Sequence, residues 1–323
     1  MDKLNRYLLK EFFSLFSTLF MIVSLIISLI FIITISNITV GLKITFGDLM
    51  KMYFLTLPQI IFITLALSFF ISSNSLYAKL SDSQELIALF SLGFNPLKLL
   101  KPILWISVII TIINVLILFV SIPYSKVALE NFKNEKKQEA KFNLQSQQIS
   151  QRFGEWSVFA QQSANKRYNN IYLYNDKEKK FIIASNAALN NKKYYLNFVL
   201  KNGKIYDFAK KYIIDFQKME INQKIPKIKI SIFNFKNYLN YNEKTFVKYF
   251  PFALLPLALI FFIPVISYFH PRLQKNRHLI YSLVILSVYV ILSFANKNLW
   301  ISLTLPVAFF ILGGVFYKWK VKF

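Results

Sequence analysis

Residues 79–102 read KLSDSQELIALFSLGFNPLKLLKP, a charged, helix-forming stretch set between two long apolar runs. Ser81 or Asp82 can cap a helix, with Gln84 or Glu85 returning a bond from the third position. Gly93 suits a left-handed stop, and Asn95-Pro96 opens another helix. The spacing predicts a short helix over residues 81–93, with Leu86, Ile87, Leu89, Phe90 and Phe94 crowded on one side. Two uses fit such a helix. It can lie flat at a lipid interface, or it can dock on a soluble partner with Glu85 offering a carboxylate at its N-terminal end.

The runs on either side set the fold class. A bilayer span needs about 20 mostly apolar residues. Runs of that kind occupy residues 12–36, 52–78, 102–124, 246–269, 279–295 and 299–317. The reading is an α-helical membrane protein with six transmembrane helices, three on each side of an inserted all-β domain. The divisions expected are 1–125 for spans 1 to 3, 126–244 for the inserted domain and 245–323 for spans 4 to 6. The first run follows Lys3, Arg6 and Lys10, as a signal peptide would. It is longer than a signal peptide's apolar core of about 7 to 15 residues and ends at Ile35-Ser36-Asn37 without a small-residue cleavage pattern. It reads as an uncleaved anchor.

The net charge is +24 over 323 residues, which in a soluble protein would suggest a polyanion. The placement of the charges says otherwise. Lys3, Arg6 and Lys10, then Lys79, Lys98 and Lys101, then Arg272, Lys275 and Arg277, then Lys318, Lys320 and Lys322 all fall on one side of six crossings. The short loops opposite hold Lys43, Lys51 and Lys297. The positive-inside rule therefore puts both termini in the cytoplasm and residues 126–244 outside it, and no nucleic acid is expected as a partner. Cysteine is absent, so no disulfide or thiolate metal site is available to the exported part.

That part opens on a charged helical stretch, SKVALENFKNEKKQEAKF, in which Glu135 with Glu139 and Lys137 with Lys141 are like-charged i,i+4 pairs. Something other than these pairs has to hold it. The period then changes to two. EWSVFAQQ, NNIYLYN, KFIIASNAAL, KYYLNFVLKNGKIYDF and YIIDFQKMEI are short runs rich in Tyr, Ile, Phe and Val, parted by Asn, Gly and Asp. Asn202-Gly203 predicts a two-residue hairpin turn inside the fourth run. An antiparallel sandwich or an open barrel both fit. In residues 193–208, Tyr194, Leu196, Phe198 and Leu200 alternate with Tyr195, Asn197, Val199 and Lys201, so the first set forms an apolar face that should line the interior.

RYLLKEFF before the first span, the second span running into SLYAKLSDSQELIALFSLGFNPLKLLKP, the exit of span 3 into a β domain, and PVISYFHPR after span 4 together resemble the LptF/LptG permeases. The resemblance covers the whole layout, and its most specific segment runs from Asp82 to Gly93. It implies that this segment is the coupling helix that fits a groove of an LptB-like ATPase dimer, with Glu85, Asp82, Leu86, Leu89 and Gly93 as the coupling residues. It implies a membrane permease subunit, not an enzyme, of an ATP-driven (ABC-type) exporter in the bacterial inner membrane. Such a subunit extracts lipopolysaccharide, works beside a paralogous LptG/LptF permease, and hands the lipid to LptC/LptA-like periplasmic proteins. The inserted domain would then be a periplasmic jellyroll, and Lys43, Lys126, Leu196, Phe198 and Leu200 are candidates for the lipid path. The apolar face of residues 194–200 is either a closed core or a groove open to acyl chains. His270-Pro271-Arg272 is similar to the Asn-Pro-Arg of the LptF side.

Other chemistries find little support. Asn74 and Asn114 are the most polar groups of spans 2 and 3, and an amide there reads as glue between helices. His270 and His278 have no Cys or carboxylate at ligand spacing, and no cofactor is expected. No phosphate-binding loop is present, and Ser157, Ser163 and Ser185 lack the glycine-flanked elbow of a nucleophile. An ion-coupled secondary transporter would place ionisable groups near the centre of its spans, where this chain has none. A membrane-anchored periplasmic binding or scaffold protein would need fewer crossings than six.

Overall fold

The computed structural model describes residues 2–39, 44–141, 151–153, 156–164, 167–192, 195–224, 235–270 and 276–320. Two compact units emerge. One comprises Met1–Ile38, Gly47–Ala128 and Ile230–Phe323, and the other Thr39–Phe46 with Leu129–Lys229.

The first unit is helical. Helix α1 spans Asp2–Thr39, α2 Phe46–Asp82, α3 Glu85–Ser91 and α4 Pro96–Leu116. A π-helical turn, Ile117–Ser121, joins α4 to α5, Ile122–Lys141. After the second unit come α6 (Phe235–Ala253), α7 (Leu255–Ala258), α8 (Phe262–Ser267), α9 (His278–Ala295) and α10 (Leu299–Lys320). Among the described residues five helical stretches are long and apolar enough to cross a membrane: Lys3–Asn37, Phe46–Asp82, Pro96–Lys136, His278–Ala295 and Leu299–Lys320. The run at 246–269, expected as a sixth span, is helical but divided among the end of α6, α7 and α8.

Proline explains the division. Pro251, Pro256 and Pro264 each lack an amide proton, so each leaves the carbonyl four residues earlier without its helical donor. In an apolar setting a bare carbonyl costs several kcal/mol, on the order of 2–7. At Pro251 a neighbouring helix supplies the donor instead, and other side chains bond further carbonyls of the same segment. Ser302 Oγ donates to Val247 O at 2.9 Å, the carbonyl that Pro251 cannot reach. Tyr289 OH donates to Pro251 O at 2.6 Å. Lys320 Nζ reaches Val265 O at 2.5 Å, and Ser81 Oγ reaches Ser267 O at 2.6 Å. Apolar packing surrounds these bonds: Phe62, Phe69, Phe70, Phe252, Leu255, Leu259, Ile260 and Ile263 are all fully or almost fully buried in one core.

The expected amide glue is half realised. Asn74 is buried, donates to Phe70 O at 2.8 Å and accepts from Ser267 Oγ at 2.9 Å, so it joins α2 to the end of α8. Asn114 is equally buried, but neither atom of its amide has a hydrogen-bond partner, and it joins nothing. Lys126 Nζ donates to Thr245 Oγ1 at 2.9 Å, which fastens the start of α5 to α6. The expected like-charged pairs of α5 involve Lys137, Glu139 and Lys141, whose side chains lie outside the described residues.

The second unit is a six-stranded antiparallel sheet in which each strand pairs with the next in sequence. Its strands are β1 (Gln151–Phe153), β2 (Trp156–Ala164), β3 (Arg167–Asn175), β4 (Lys180–Lys192), β5 (Tyr195–Asp207) and β6 (Tyr212–Lys224). Two four-residue turns share one device. Asn175 Oδ1 accepts from the amides of Lys177 and Glu178, and Asp207 Oδ1 accepts from those of Ala209 and Lys210. The Lys210 amide is the main cause that holds the Asp207 carboxyl below its ordinary range. A folded-state pKa below the unfolded one means that this turn is stabilised above the unfolded value and loses that stabilisation as pH falls through the folded one.

Asn202-Gly203 is not a hairpin turn. Strand β5 runs straight through it, and Asn202 takes the positive φ, 50°, within the strand. Asn170 of β3 does the same at 47°. Both lie on one line across the sheet. Ile171, Ala184, Gly203 and Phe216 pair in a row on one side of that line, and Asn169, Asn186, Lys201 and Lys218 pair in a row on the other. Between the rows Asn170, Ser185, Asn202 and Gln217 pair with nothing in the ladder. Each strand from β3 to β6 thus carries one extra residue at the same height, and the register survives.

The side-chain phase, however, reverses along that line. Inward positions step by three rather than two, from Ala184 to Ala187, from Leu200 to Gly203 and from Phe216 to Met219. Each strand then shows two adjacent exposed residues: Asn169 and Asn170, Ser185 and Asn186, Lys201 and Asn202, Gln217 and Lys218. This crease lets Phe198 and Leu200 share a core with Val158, Ile171, Leu173, Ile182 and Ala184. The opposite face is not purely solvated, because Asn197 and Val199 are also buried. Local bulges of this kind bend a strand and increase its twist.

Gly203 is needed there for space. A Cβ added to it would sit 2.2 Å from Ile183 O and 2.5 Å from Phe216 Cζ. Gly203→Ala should therefore destabilise the sheet by about 3 kcal/mol, at the upper end of overpacking costs. Asn202→Gly, which keeps the positive φ open, should be near neutral. Hydrogen–deuterium exchange on peptides of β4 to β6 reads both; equal protection in the two variants would contradict the close approach.

Candidate functional site

Helix α3 and the ends of α2 and α4 form a corner that is apolar inside and polar at its rim. The expected capping arrangement does not form. Ser81 and Asp82 still belong to α2, and the residue that starts α3 is Gln84, in the left-handed region at φ 60°, with no side-chain cap. Ser81 is occupied instead with Ser267 O, and Asp82 accepts from Asn276 Nδ2. Helix α3 is held by packing rather than by a cap. Leu86 is buried, Leu89 and Phe90 pack on the same core, and the Phe90 ring lies 5.6 Å from that of Tyr268.

The exit from α3 follows the sequence. Gly93 has φ +80° with nothing within 4 Å of an added Cβ, so its role is conformational. Asn95 Oδ1 accepts from the Leu97 amide at 2.9 Å and starts α4 at Pro96. Tyr77 and Tyr268 close the inner side of the corner. Tyr77 OH donates to Leu99 O at 2.6 Å, and the two rings stand 5.5 Å apart, edge to face.

Glu85 is engaged within the chain. Its Oε2 accepts from Tyr7 OH at 3.0 Å and its Oε1 from Ser83 Oγ at 2.9 Å. One turn along α1, Glu11 pairs with Lys79 at 2.8 Å. Tyr7 and Glu11 thus present one face of α1 to the α2–α3 corner, while Leu8 and Phe12 are buried beside them and the Phe12 ring lies 5.9 Å from Phe69. The rim that remains exposed comprises Asp82, Ser83, Gln84, Ala88, Ser91, Leu92, Gly93 and Leu97. Leu92 is 74% exposed, an apolar side chain with no cover in this chain.

The other candidates from sequence are scattered. Lys43 lies outside the described residues, as do Pro271, Arg272 and Lys275. Lys126 is held by Thr245. The side chain of Leu196 is not described, while Phe198 and Leu200 are fully buried in the sheet's core. Sequence reasoning missed Tyr7, Glu11, Ser267 and Asn276 as members of the corner. For Tyr7 and Glu11 a signal existed: a tyrosine and a carboxylate four residues apart at the polar start of a span lie on one helix face. Ser267 and Asn276 meet α2 across more than 180 residues of chain, and nothing in their neighbourhood marks them.

Comparison with protein families matches residues 6–317 to the family described as the lipopolysaccharide export system permease LptF/LptG. No curated protein matches the chain.

The Asn74–Ser267–Ser81 bonds should be the main polar tie between α2 and α8. Ser267→Ala leaves the buried Asn74 Oδ1 without a donor and should lower stability by about 1–3 kcal/mol. Ser293→Ala is the control, because Ser293 Oγ bonds only Tyr289 O of its own helix. Thermal unfolding of the two purified variants in detergent compares them; an equal shift would show that the tie contributes little.

Proposed function

The chain belongs to the LptF/LptG family of lipopolysaccharide export permeases, and on that premise we propose that it is the transport subunit of an ATP-driven, ABC-type exporter. A permease of this family is a membrane protein and not an enzyme. In our reading it extracts lipopolysaccharide from the bacterial inner membrane and passes it to a periplasmic bridge of LptC/LptA-like proteins. An LptB-like ATPase dimer hydrolyses ATP, and a paralogous permease completes the pair. His270-Pro271-Arg272 favours the LptF side.

The observation that supports this most is the corner at α3. A seven-residue helix that buries Leu86, ends on Gly93 and exposes Leu92 is built to be covered by something outside the chain. Glu85, Asp82, Leu86, Leu89 and Gly93 would be its coupling residues, Glu85 and Asp82 at the polar end and Leu86 and Leu89 as the packed base. The four basic clusters support a reading with this corner and both termini in the cytoplasm. The chain then crosses six times, the fourth crossing being the broken segment α6 to α8, with 1–125 and 245–323 in the membrane and 126–244 outside.

The need for ATP follows from the cargo. Each CH₂ moved out of an apolar setting costs about 0.8 kcal/mol, so a lipid with several acyl chains is not removed by one binding event. An enclosure that first admits the chains and then collapses is required. In the periplasm the sheet would have to take over the shielding as a jellyroll-like shell, with Leu196, Phe198 and Leu200 on its inner wall. Phe198 and Leu200 have no exposure in this chain, so acyl chains would reach them only after the sheet opens. Lys43 and Lys126 would meet lipid phosphates.

Glu85→Lys reverses the charge at the head of α3 and should weaken binding of the ATPase or uncouple hydrolysis from lipid release by tenfold or more, about 1.4 kcal/mol. A variant complex that assembles and extracts lipid at the normal rate would refute the coupling role. Orientation has its own test, made simple by the absence of cysteine. A thiol at Ser83 should resist impermeant maleimide in intact spheroplasts, whereas one at Asn202 should react; labelling of Ser83 from outside would reverse the topology.

A further inference from the structure

The contacts of Glu85 concern α1 as much as α3. Tyr7 OH bonds one carboxylate oxygen of Glu85, and Glu11 forms an ion pair with Lys79 on the last turn of α2. Leu8 and Phe12 fill the space between these polar contacts and have essentially no exposure. Over this first stretch α1 is gripped on one face. Farther along, the grip loosens: Met21, Ile22, Leu25, Ile26, Leu29, Ile30, Ile32 and Ile33 are all exposed, and Ile27 and Ile35 are the buried apolar positions. There Ser28 Oγ meets Tyr53 OH of α2 at 2.7 Å.

A helix held tightly at one end and lightly along the rest follows the element that grips it. A carboxylate has about four acceptor positions, and here each oxygen of Glu85 accepts one bond from within the chain. Each oxygen thus retains capacity toward a cationic or hydrogen-bonding group of a partner while Tyr7 and Ser83 fix the direction of the carboxylate. A partner that pulls or tilts α3 through Glu85 therefore acts on Tyr7 in the same event.

We propose that Tyr7 and Glu11 are positioning residues for transport: they clip the start of α1 to the coupling corner, so that displacement of α3 by the ATPase is delivered to α1 directly. This rests on the coupling role proposed for α3. The clip has two parts of different chemistry. The tyrosine bond orients Glu85 and links α1 to α3, and the Glu11–Lys79 pair links α1 to the end of α2. The ion pair is solvated, with Lys79 59% exposed, so its part is to set register rather than to hold the fold.

The test uses the full chain in its complex with the ATPase and the partner permease, reconstituted in lipopolysaccharide-containing vesicles. Tyr7→Phe and Glu11→Gln should each leave the complex assembled, and together they should lower lipid released per ATP about tenfold. Glu11→Lys combined with Lys79→Glu should restore release relative to either single change, which a general loss of folding would not allow. Undiminished release per ATP in the Tyr7→Phe/Glu11→Gln variant overturns the proposal, as does failure of the charge swap to recover any release. Glu85→Lys, run in parallel, separates the two layers. Normal assembly and transport with Glu85→Lys removes the coupling reading itself, whereas a defect there beside normal release in the Tyr7 and Glu11 variants removes only the clip.

Discussion

The helical unit depends on side-chain bonds from neighbouring helices to the backbone carbonyls of one proline-broken segment. Between Val247 and Ser267 three prolines break the helix; Ser302 gives Val247 O the donor that Pro251 lacks, and Tyr289, Lys320 and Ser81 bond the carbonyls of Pro251, Val265 and Ser267 along the same segment. These four residues stand on α2, α9 and α10, so the broken segment is bonded to helices from both halves of the chain. An unbroken helix would need none of these bonds and would be free to slide along its neighbours. A broken one is fixed to them by directional contacts, each with its own geometry.

The same logic organises the corner around α3. Ser81 and Asp82, which by type and position suit a helix cap, bond instead to Ser267 and Asn276, and α3 begins without a cap at a left-handed Gln84. For Ser81 a local rule was overridden because a more distant acceptor, the buried carbonyl of Ser267, costs more to neglect than a solvated helix end does. The corner is therefore a junction of four segments: the start of α1, the end of α2, the start of α4 and the end of α8. The rim around Leu92 stays exposed.

What could be read from the sequence was what depends on short-range chemistry. The apolar runs, Gly93 as a stop, Asn95-Pro96 as a start and the change from helical to strand periodicity near residue 150 all reflect local preferences, and each appears where expected. The alternation that puts Phe198 and Leu200 in the core was visible for the same reason. The breaks in the fourth run were not legible because hydropathy counts apolar side chains and ignores the amide protons that Pro251, Pro256 and Pro264 lack. Asn202-Gly203 was read as a turn because positive φ serves a hairpin and an in-strand reversal of phase equally well; only the neighbouring strands, with Asn170 at the same height, decide between them. Among the site residues, Glu85 was legible from its place at a helix start, and its bond to Tyr7, 78 residues away, was not.

The crease also limits how this sheet can change over time. Most β domains accept length changes strand by strand, because a single bulge is absorbed by its two neighbours. Here every strand from β3 to β6 carries its surplus residue at one height, and the pairings on both sides stay aligned only because the surplus is shared. Deleting one residue from one strand would leave its two neighbours half in and half out of step, turning core side chains of that strand toward water on one side of the line. A change that keeps this core is thus a substitution within a strand or an insertion at a turn such as Asp176–Lys179 or Phe208–Lys211, where length is free.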